Sequence, residues 1–116
     1  MPVKRHLADK AGYGAYHPGV QSVMTHVQRP VVATAMTASR IDGYLGTPTS
    51  VGAFKFTIWR SRGPAAIGQV TIAAAANTGN QTTLTNSDLA LDDELYCIID
   101  QIGTTGAGSD LSWRVR

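Results

Sequence analysis

The sequence is poor in cysteine, in charge and in the residues that favour helices. Cys97 is the one cysteine among 116 residues, so no disulfide can form within the chain. It lies in the strand-like run ELYCIID, where a buried thiol serves as apolar packing far more often than as a nucleophile. Charged residues make up 16% of the chain, whereas Thr, Val, Ile, Ala and Gly abound. This composition favours strands and excludes a charged disordered tail or a helical bundle.

Long apolar runs are also missing. No stretch approaches the ~20 consecutive apolar residues that a membrane-spanning helix requires. The opening residues MPVKRHLADKAGYG have no apolar core of the kind found in secretory signal peptides. The sequence therefore predicts cytoplasmic synthesis and no membrane partner.

The basic excess is confined to the N-terminal part of the chain. The whole sequence has a net charge of +2, and residues 1–30 contain four basic residues and one acidic residue. The basic residues are Lys4, Arg5, Lys10 and Arg29. Such a segment can contact an acidic protein surface or a nucleic acid. Because it has no arginine-rich block and few interleaved aromatic residues, nucleic-acid binding is not expected.

Residues 1–29 are predicted to form an extended N-terminal arm. Three glycines and Pro18 interrupt any long helix, and the apolar residues at positions 20–27, although helically spaced, are mostly β-branched. An arm of this length, carrying Tyr13 and Tyr16, would lose much conformational entropy if it were ordered alone. We therefore expect it to pack on its own domain or on a neighbouring subunit.

Residues 30–116 are predicted to form one all-β domain. The runs AFKFTIW and LSWRVR alternate apolar and polar residues, and six to eight short strands follow one another with turn signals every 8–14 residues. No helical crossover separates them, which favours an antiparallel β-sandwich of jelly-roll-like topology, although an immunoglobulin-like topology fits the same strand count. Within this region Asp42-Gly43 is interpreted as a turn or bulge, and ANTGNQ as a turn.

The strand predicted over residues 94–102 is apolar on both faces. Leu95, Cys97 and Ile99 alternate with Tyr96 and Ile98 along it. A sandwich strand normally has one face in water, so the second face must be covered by the arm, by a loop or by another subunit. Tyr96 and Ile98 are therefore candidates for an oligomer interface.

No catalytic or cofactor-binding pattern emerges. The glycine-rich loop GTTGAGSD leads into an alternating strand rather than a helix and contains no lysine, so it is interpreted as a hairpin loop and not as a phosphate-binding loop. His6, His17 and His26 all lie in the arm, which is not expected to hold a catalytic base rigidly against a nucleophile. Their spacing also lacks the close pair of ligands that zinc sites usually show. They are interpreted as separate surface histidines.

The acidic cluster at residues 88–94 gives no clear metal site either. It contains four carboxylates but not the D-x-D-x-D-G register of a calcium loop, and a polar loop before a strand needs no ion. No catalytic residue, metal ligand or cofactor is therefore assigned, and an enzyme is not expected.

Two stretches of the domain resemble a β-sandwich module of tailed-bacteriophage virion proteins. They are LGTPTSVGAFKFTIWRSRG and LALDDELYCIIDQIGTTGAGSDLSWRVR, and the resemblance covers residues 41–116. The sequence departs from the pattern at Ile98 and Trp113. The matching residues are Leu45, Gly46, Thr47, Gly52, Ala53, Leu91, Asp93, Asp100, Gln101, Gly103, Gly108, Asp110 and Leu111.

The resemblance implies a structural protein of the virion. A small free-standing sandwich with a basic arm suits a decoration (cement) protein on the capsid surface, bound to the major capsid protein as a homo-oligomer, with a trimer expected. The arm residues Lys4, Arg5, Lys10, Tyr13 and Tyr16 would then contact the capsid or a neighbouring subunit.

The same interpretation predicts a local structural role for one pair of polar residues. Asp100 and Gln101 stand at the end of a strand, where their side chains are predicted to fix the glycine-rich loop by accepting its backbone N–H groups.

Two other functions remain open. The chain also fits a tail fibre, adaptor or baseplate component of the same virion class. A carbohydrate-binding module is the alternative from another class, with Trp59 as the stacking platform, because Trp113 shares its face with Leu111 and Val115 and is expected in the core.

Overall fold

The computed structural model describes residues 12–116, which fold into antiparallel sheets with no helix among them. The strands are β1 (Tyr13–Val20), β2 (Met36–Thr37), β3 (Ile41–Thr47), β4 (Phe54–Arg60), β5 (Ala65–Ile72), β6 (Thr78–Gln81), β7 (Asp88–Leu89), β8 (Leu95–Gln101) and β9 (Ser109–Val115). The expected all-β fold is confirmed, and no helix of the described residues is long and apolar enough to cross a membrane.

The strand order is that of a jelly roll. One sheet has the order β1-β9-β3-β6, and the other has the order β5-β4-β8. Residues 21–31, which we call the edge segment, lie along the free edge of β8 through antiparallel bridges Thr25↔Ile98 and Val31↔Glu94. The second sheet is therefore four-membered, and every connection between the main strands crosses to the other sheet except the β4–β5 hairpin. This double-sheet arrangement is the jelly-roll topology.

The core lies between the two sheets and follows the predicted alternation. Along β4, the side chains of Phe54, Phe56 and Ile58 are fully buried, and the residues between them are partly exposed. Strand β9 likewise buries Leu111 and Trp113, as expected for that strand. Both sheets contribute to one continuous apolar cluster, which a domain of this size needs to be stable.

Two local predictions are wrong. Asp42 and Gly43 lie inside β3 rather than at a turn, since Gly43 pairs with Trp113 on one side and Gly79 on the other. A glycine is required there because a Cβ would lie 2.6 Å from the Phe56 ring. Residues 78–81 of the predicted turn ANTGNQ form β6 instead. Their glycine and polar residues pair with β3 at the edge of the sheet, where apolar alternation is not needed.

The arm belongs to the sandwich from Tyr13 onward. Residues 13–20 form β1, the edge strand beside β9, with pairs from Tyr13↔Val115 to Val20↔Ser109. The arm is thus packed on its own domain over this length. Lys4, Arg5 and Lys10 lie outside the described residues.

Candidate interaction surfaces

The edge segment is the most apolar exposed part of the described chain. Its backbone is held to β8 by the His26 N–H bond to Cys97 O (2.9 Å), by the Ile99 N–H bond to Met24 O (2.8 Å) and by the Leu95 N–H bond to Pro30 O (2.9 Å). Its side chains, with the end of β1, point largely into solvent, with exposures between 42% and 88%. These side chains are Val20, Val23, Met24, Val27 and Val31. Sequence reasoning did not identify this surface, although the apolar residues at positions 20–27 were its signal.

The outer face of β8 is covered within the chain. Tyr96 is only 8% exposed. Its ring stacks on Trp59 at a centroid distance of 6.3 Å, and the guanidinium of Arg29 lies 4.2 Å from its centroid on the ring face. The prediction that Tyr96 is free for an oligomer interface is therefore wrong, because an arm residue covers it. Ile98, which is partly exposed, remains a candidate.

Trp59 is a poor platform for a sugar ring. It is partly buried in its stack with Tyr96, and its indole N–H is buried without a hydrogen-bond partner in the described structure. A stacking ligand needs an open aromatic face, and this geometry does not provide one.

A groove opens on the outer face of β3, β6 and β9. Its volume is about 440 Å³, within the range of small-molecule sites. Asp42 lies on its floor, where it accepts hydrogen bonds from Arg40 Nε (2.5 Å) and Arg116 Nε (2.9 Å). Tyr44 and Arg114 also line it. The groove thus combines a half-exposed aromatic ring with both signs of charge.

The two arm tyrosines within the described residues have different roles. The Tyr13 hydroxyl accepts hydrogen bonds from the backbone N–H groups of Ala33 (3.0 Å) and Thr34 (3.2 Å), which fastens β1 to the chain that follows the edge segment. Tyr16 is half-exposed, and its hydroxyl donates to Asp110 Oδ1 at 3.4 Å. Tyr16 is therefore accessible on the surface, whereas Tyr13 is mainly structural.

Asp100 and Gln101 do not fix the glycine-rich loop. Asp100 Oδ2 accepts hydrogen bonds from Thr57 Oγ1 (2.5 Å) and Gln69 Nε2 (3.0 Å), and the Gln101 amide donates to Ala53 O (2.8 Å). The prediction is wrong because both side chains face neighbouring strands rather than the loop.

The backbone of Val51 holds the loop instead. Thr104 N–H donates to Val51 O at 2.8 Å, and Val51 N–H donates to Thr105 O at 3.0 Å. The loop is thus fixed by main-chain pairing, which no side-chain pattern in the sequence reveals.

The acidic cluster forms ion pairs with three arginines, one of which is Arg29, whose Nη1 lies 3.6 Å from Glu94 Oε1. Arg60 Nη1 lies 2.6 Å from Asp88 Oδ1, and Arg62 Nε lies 3.1 Å from Asp93 Oδ1. Burial by itself would raise the pKa of Asp93, but the hydrogen bonds from Arg62 and from the Ala90 N–H outweigh it, so the pKa lies below its usual value. These two carboxylates stabilise the fold, and residues 12–116 contain no cluster of three or more metal-ligating side chains.

His17 and His26 form a stacked pair, in which His17 is buried and His26 is partly exposed. Their ring centroids are 3.6 Å apart and their planes differ by 3°. His17 is 4% exposed and accepts a hydrogen bond from the Trp113 indole N–H at 2.9 Å. The interpretation of these two as separate surface histidines is wrong: β1 and the edge segment carry them to the same place. His6 lies outside the described residues.

Comparison with known proteins identifies no family for the chain. No protein-family model matches the chain, and no curated protein matches it significantly. A solved structure titled "Structure of Eiger TNF from S. frugiperda" is similar, with 10% sequence identity and a TM-score of 0.49 over 90% of this chain and 87% of that chain. A similarity this weak does not indicate a function.

Proposed function

We propose that the chain is a structural protein of a tailed-phage virion. In this proposal it decorates the capsid surface, binds the major capsid protein and stabilises the head shell as an oligomer, with a trimer expected. The resemblance of residues 41–116 to virion β-sandwich modules supports the class of protein.

The observation that carries the proposal is the exposed apolar edge segment. A soluble monomer seldom leaves so many large apolar side chains together in water, so a contiguous group of them commonly marks a protein contact. Here they lie on an irregular strand whose backbone is already hydrogen-bonded to β8. The side chains are thus displayed on an ordered support, which limits the entropy lost on docking.

Three of the residues shared with the virion modules have clear roles in the fold. Leu45 and Leu111 are fully buried in the core and lie opposite each other on β3 and β9. Gly108 has a φ of +91°, a conformation that favours glycine. The resemblance therefore concerns residues that stabilise the fold, whereas the edge segment supplies the surface for a specific partner.

The proposal predicts that capsid binding depends on Val27 and Val31. Replacing both with serine removes apolar area that would be buried in the complex, and binding to shells lacking the protein should weaken at least tenfold. Cosedimentation of purified protein with such shells measures the change. Val51→Ser is the matched control, because Val51 is similarly exposed but pairs with Thr105 at the opposite end of β8.

Unchanged binding by the double variant, with an unchanged melting temperature, would contradict the docking role of the edge segment. Equal loss in the Val51→Ser control would point to a general effect on solubility. Binding to tail preparations but not to shells would favour the tail fibre, adaptor or baseplate alternative.

The groove on β3, β6 and β9 favours a carbohydrate-binding module as the second candidate. Its exposed Tyr44 can stack on a sugar ring, and Asp42 and Arg114 can hydrogen-bond to hydroxyl groups. Glycan-array binding that is lost in Tyr44→Ala and kept in Val27→Ser would favour this candidate over capsid decoration.

A further inference from the structure

The stacked histidines join the edge segment to β1 and β9. His17 belongs to β1, His26 belongs to the edge segment, and Gln21 connects them. The Gln21 amide nitrogen donates to His17 O (2.9 Å) and Gly19 O (3.0 Å), and its oxygen lies 3.0 Å from His26 Nε2. This cluster holds the N-terminal end of the edge segment in place.

The hydrogen bonds fix the tautomer of each ring. An indole N–H is a donor only, so His17 Nε2 must be the unprotonated acceptor for Trp113 and Nδ1 must carry the proton of the neutral ring. The Gln21 amide nitrogen faces two carbonyl oxygens, so its oxygen faces His26, whose Nε2 must carry a proton. The cluster is therefore complete when both rings are neutral.

Added protons affect the two rings differently. A proton on His26 goes to Nδ1 and leaves its hydrogen bond to Gln21 intact. A proton on His17 must go to Nε2, where it sets two N–H donors against each other and breaks the Trp113 bond. With both rings charged, two like charges stack at a centroid distance of 3.6 Å. The cluster thus tolerates a proton on His26 and not one on His17.

No nearby acid compensates such a charge. The ionisable groups on the elements packed around the pair are Tyr13 and Tyr16 on β1, Asp110 and Arg114 on β9, Tyr96, Cys97 and Asp100 on β8, and Arg29 in the edge segment. None of them forms an ion pair or a hydrogen bond with either imidazole among the described residues. Asp110 instead binds the Gly19 N–H and the Tyr16 hydroxyl.

We propose that His17, Gln21, His26 and Trp113 form an acid-sensitive latch, and that protonation of His17 releases the edge segment from β8. The latch concerns the isolated protein and does not depend on the proposed capsid role. On a virion, it would make the display of the apolar side chains dependent on pH.

The direction of the pH effect follows from the neutral state of the rings. Burial, and to a smaller extent the charge of His26, lowers the pKa of His17 to about 4, and burial lowers the pKa of His26. Once the edge segment has left, the imidazole of His17 is open to water and would titrate near its ordinary value of about 6.5. Between the two pKa values of His17, the open state therefore binds more protons than the closed state does. The closed latch accordingly loses stability as the pH falls from about 6.5 to about 4.

Hydrogen exchange of the full chain tests the latch without any capsid. The amides of His26 and Ile99 report on the contact between the edge segment and β8, and that of Phe56 reports on the core. After correction for intrinsic rates, protection of the first two should fall at least tenfold relative to Phe56 between pH 7 and pH 4. Unchanged protection, or an equal loss at Phe56, would overturn the proposal.

Two variants separate the histidines from general acid effects. His17→Gln keeps an acceptor for Trp113 and removes the titrating group, so the acid response should disappear. His26→Phe keeps a flat ring without charge, so His17 should gain its proton at higher pH and the midpoint should rise. His6→Gln is the control and should behave as the parent chain does. A parental midpoint in both test variants would refute the latch.

Nitrogen NMR of the unmodified chain gives an independent result if a variant does not fold. At pH 7, the imidazole proton should be on Nδ1 of His17 and on Nε2 of His26. The opposite tautomers, or a charged ring at pH 7, would also refute the latch.

Discussion

Asp93 shows how one side chain connects separate parts of the fold. It is 5% exposed, and its carboxylate accepts hydrogen bonds from Arg62 Nε at 3.1 Å and from the Ala90 N–H at 2.8 Å. The first bond joins it to the β4–β5 turn and the second closes its own loop. A buried carboxylate with these partners is stabilising only while it is charged.

Asp93→Asn should therefore destabilise the protein by about 1–3 kcal/mol at neutral pH, because charge-assisted hydrogen bonds from Arg62 are lost. The pKa of Asp93 is lowered in the folded state, so its contribution is present above the unfolded pKa and is lost as the pH falls through the lower folded value. The variant should thus lose less stability than the parent below about pH 4. Urea unfolding at several pH values measures both effects.

Asp92→Asn is the matched control for this prediction. Asp92 is exposed and has a φ of +72°, a conformation that asparagine also tolerates. It should change the free energy of unfolding by less than about 0.5 kcal/mol. Similar losses in both variants would contradict the specific role of Asp93.

The edge segment shows at the level of the element why a sequence pattern can miss an exposed apolar surface. It contributes few backbone hydrogen bonds to β8 and presents apolar side chains to solvent, so it has no alternation of buried and exposed residues. Strands β4 and β9 were predictable because each buries one face against the core. Strand β1 was not predictable, because its glycines and Pro18 are residues that favour loops. Pairing with β9 overrides that preference.

The boundary of β1 also sharpens a test of the basic residues. Removing residues 1–29 would take away β1 and most of the edge segment, whereas removing residues 2–11 leaves the sheet from Tyr13 onward intact. The shorter deletion should keep the melting temperature within a few degrees and weaken shell binding at least tenfold, mostly through slower association at low salt. Calorimetry and salt-dependent binding kinetics measure these effects.

Replacing Lys4, Arg5 and Lys10 with glutamine separates charge from length in the same experiment. If charge carries the contact, this variant should match the deletion. Parental binding by both variants would exclude the basic residues from the interface.

At the scale of the whole molecule, the exposed apolar groups lie outside the single core. The core is continuous between the sheets, whereas Val27 and Val31 extend from the edge of one sheet and Tyr16 and Tyr44 lie on the outer face of the other. A trimer in solution would bury part of this surface. Light scattering should then give three times the 12.3 kDa chain mass. A monomer at all concentrations would contradict a trimer in solution, and an oligomer could then form only on the capsid shell.

The sequence predicted the class of fold more fully than the surfaces. Composition, turns and the alternation along β4 and β9 were enough for an antiparallel sandwich. The pairing of His17 with His26, the burial of Tyr96 and the hydrogen bonds of Asp100 depend on which strands become neighbours. A single sequence contains no direct signal for those long-range contacts.

Strand β1 is paired on one side only among the described residues, and its course is irregular. Pro18 has no backbone N–H, and the register with β9 shifts between His17 and Val20. A long regular edge would act as a template for strands of other copies. Where many copies lie close together, this interrupted strand is a poor template for pairing between their backbones, so side-chain contacts would determine how they assemble.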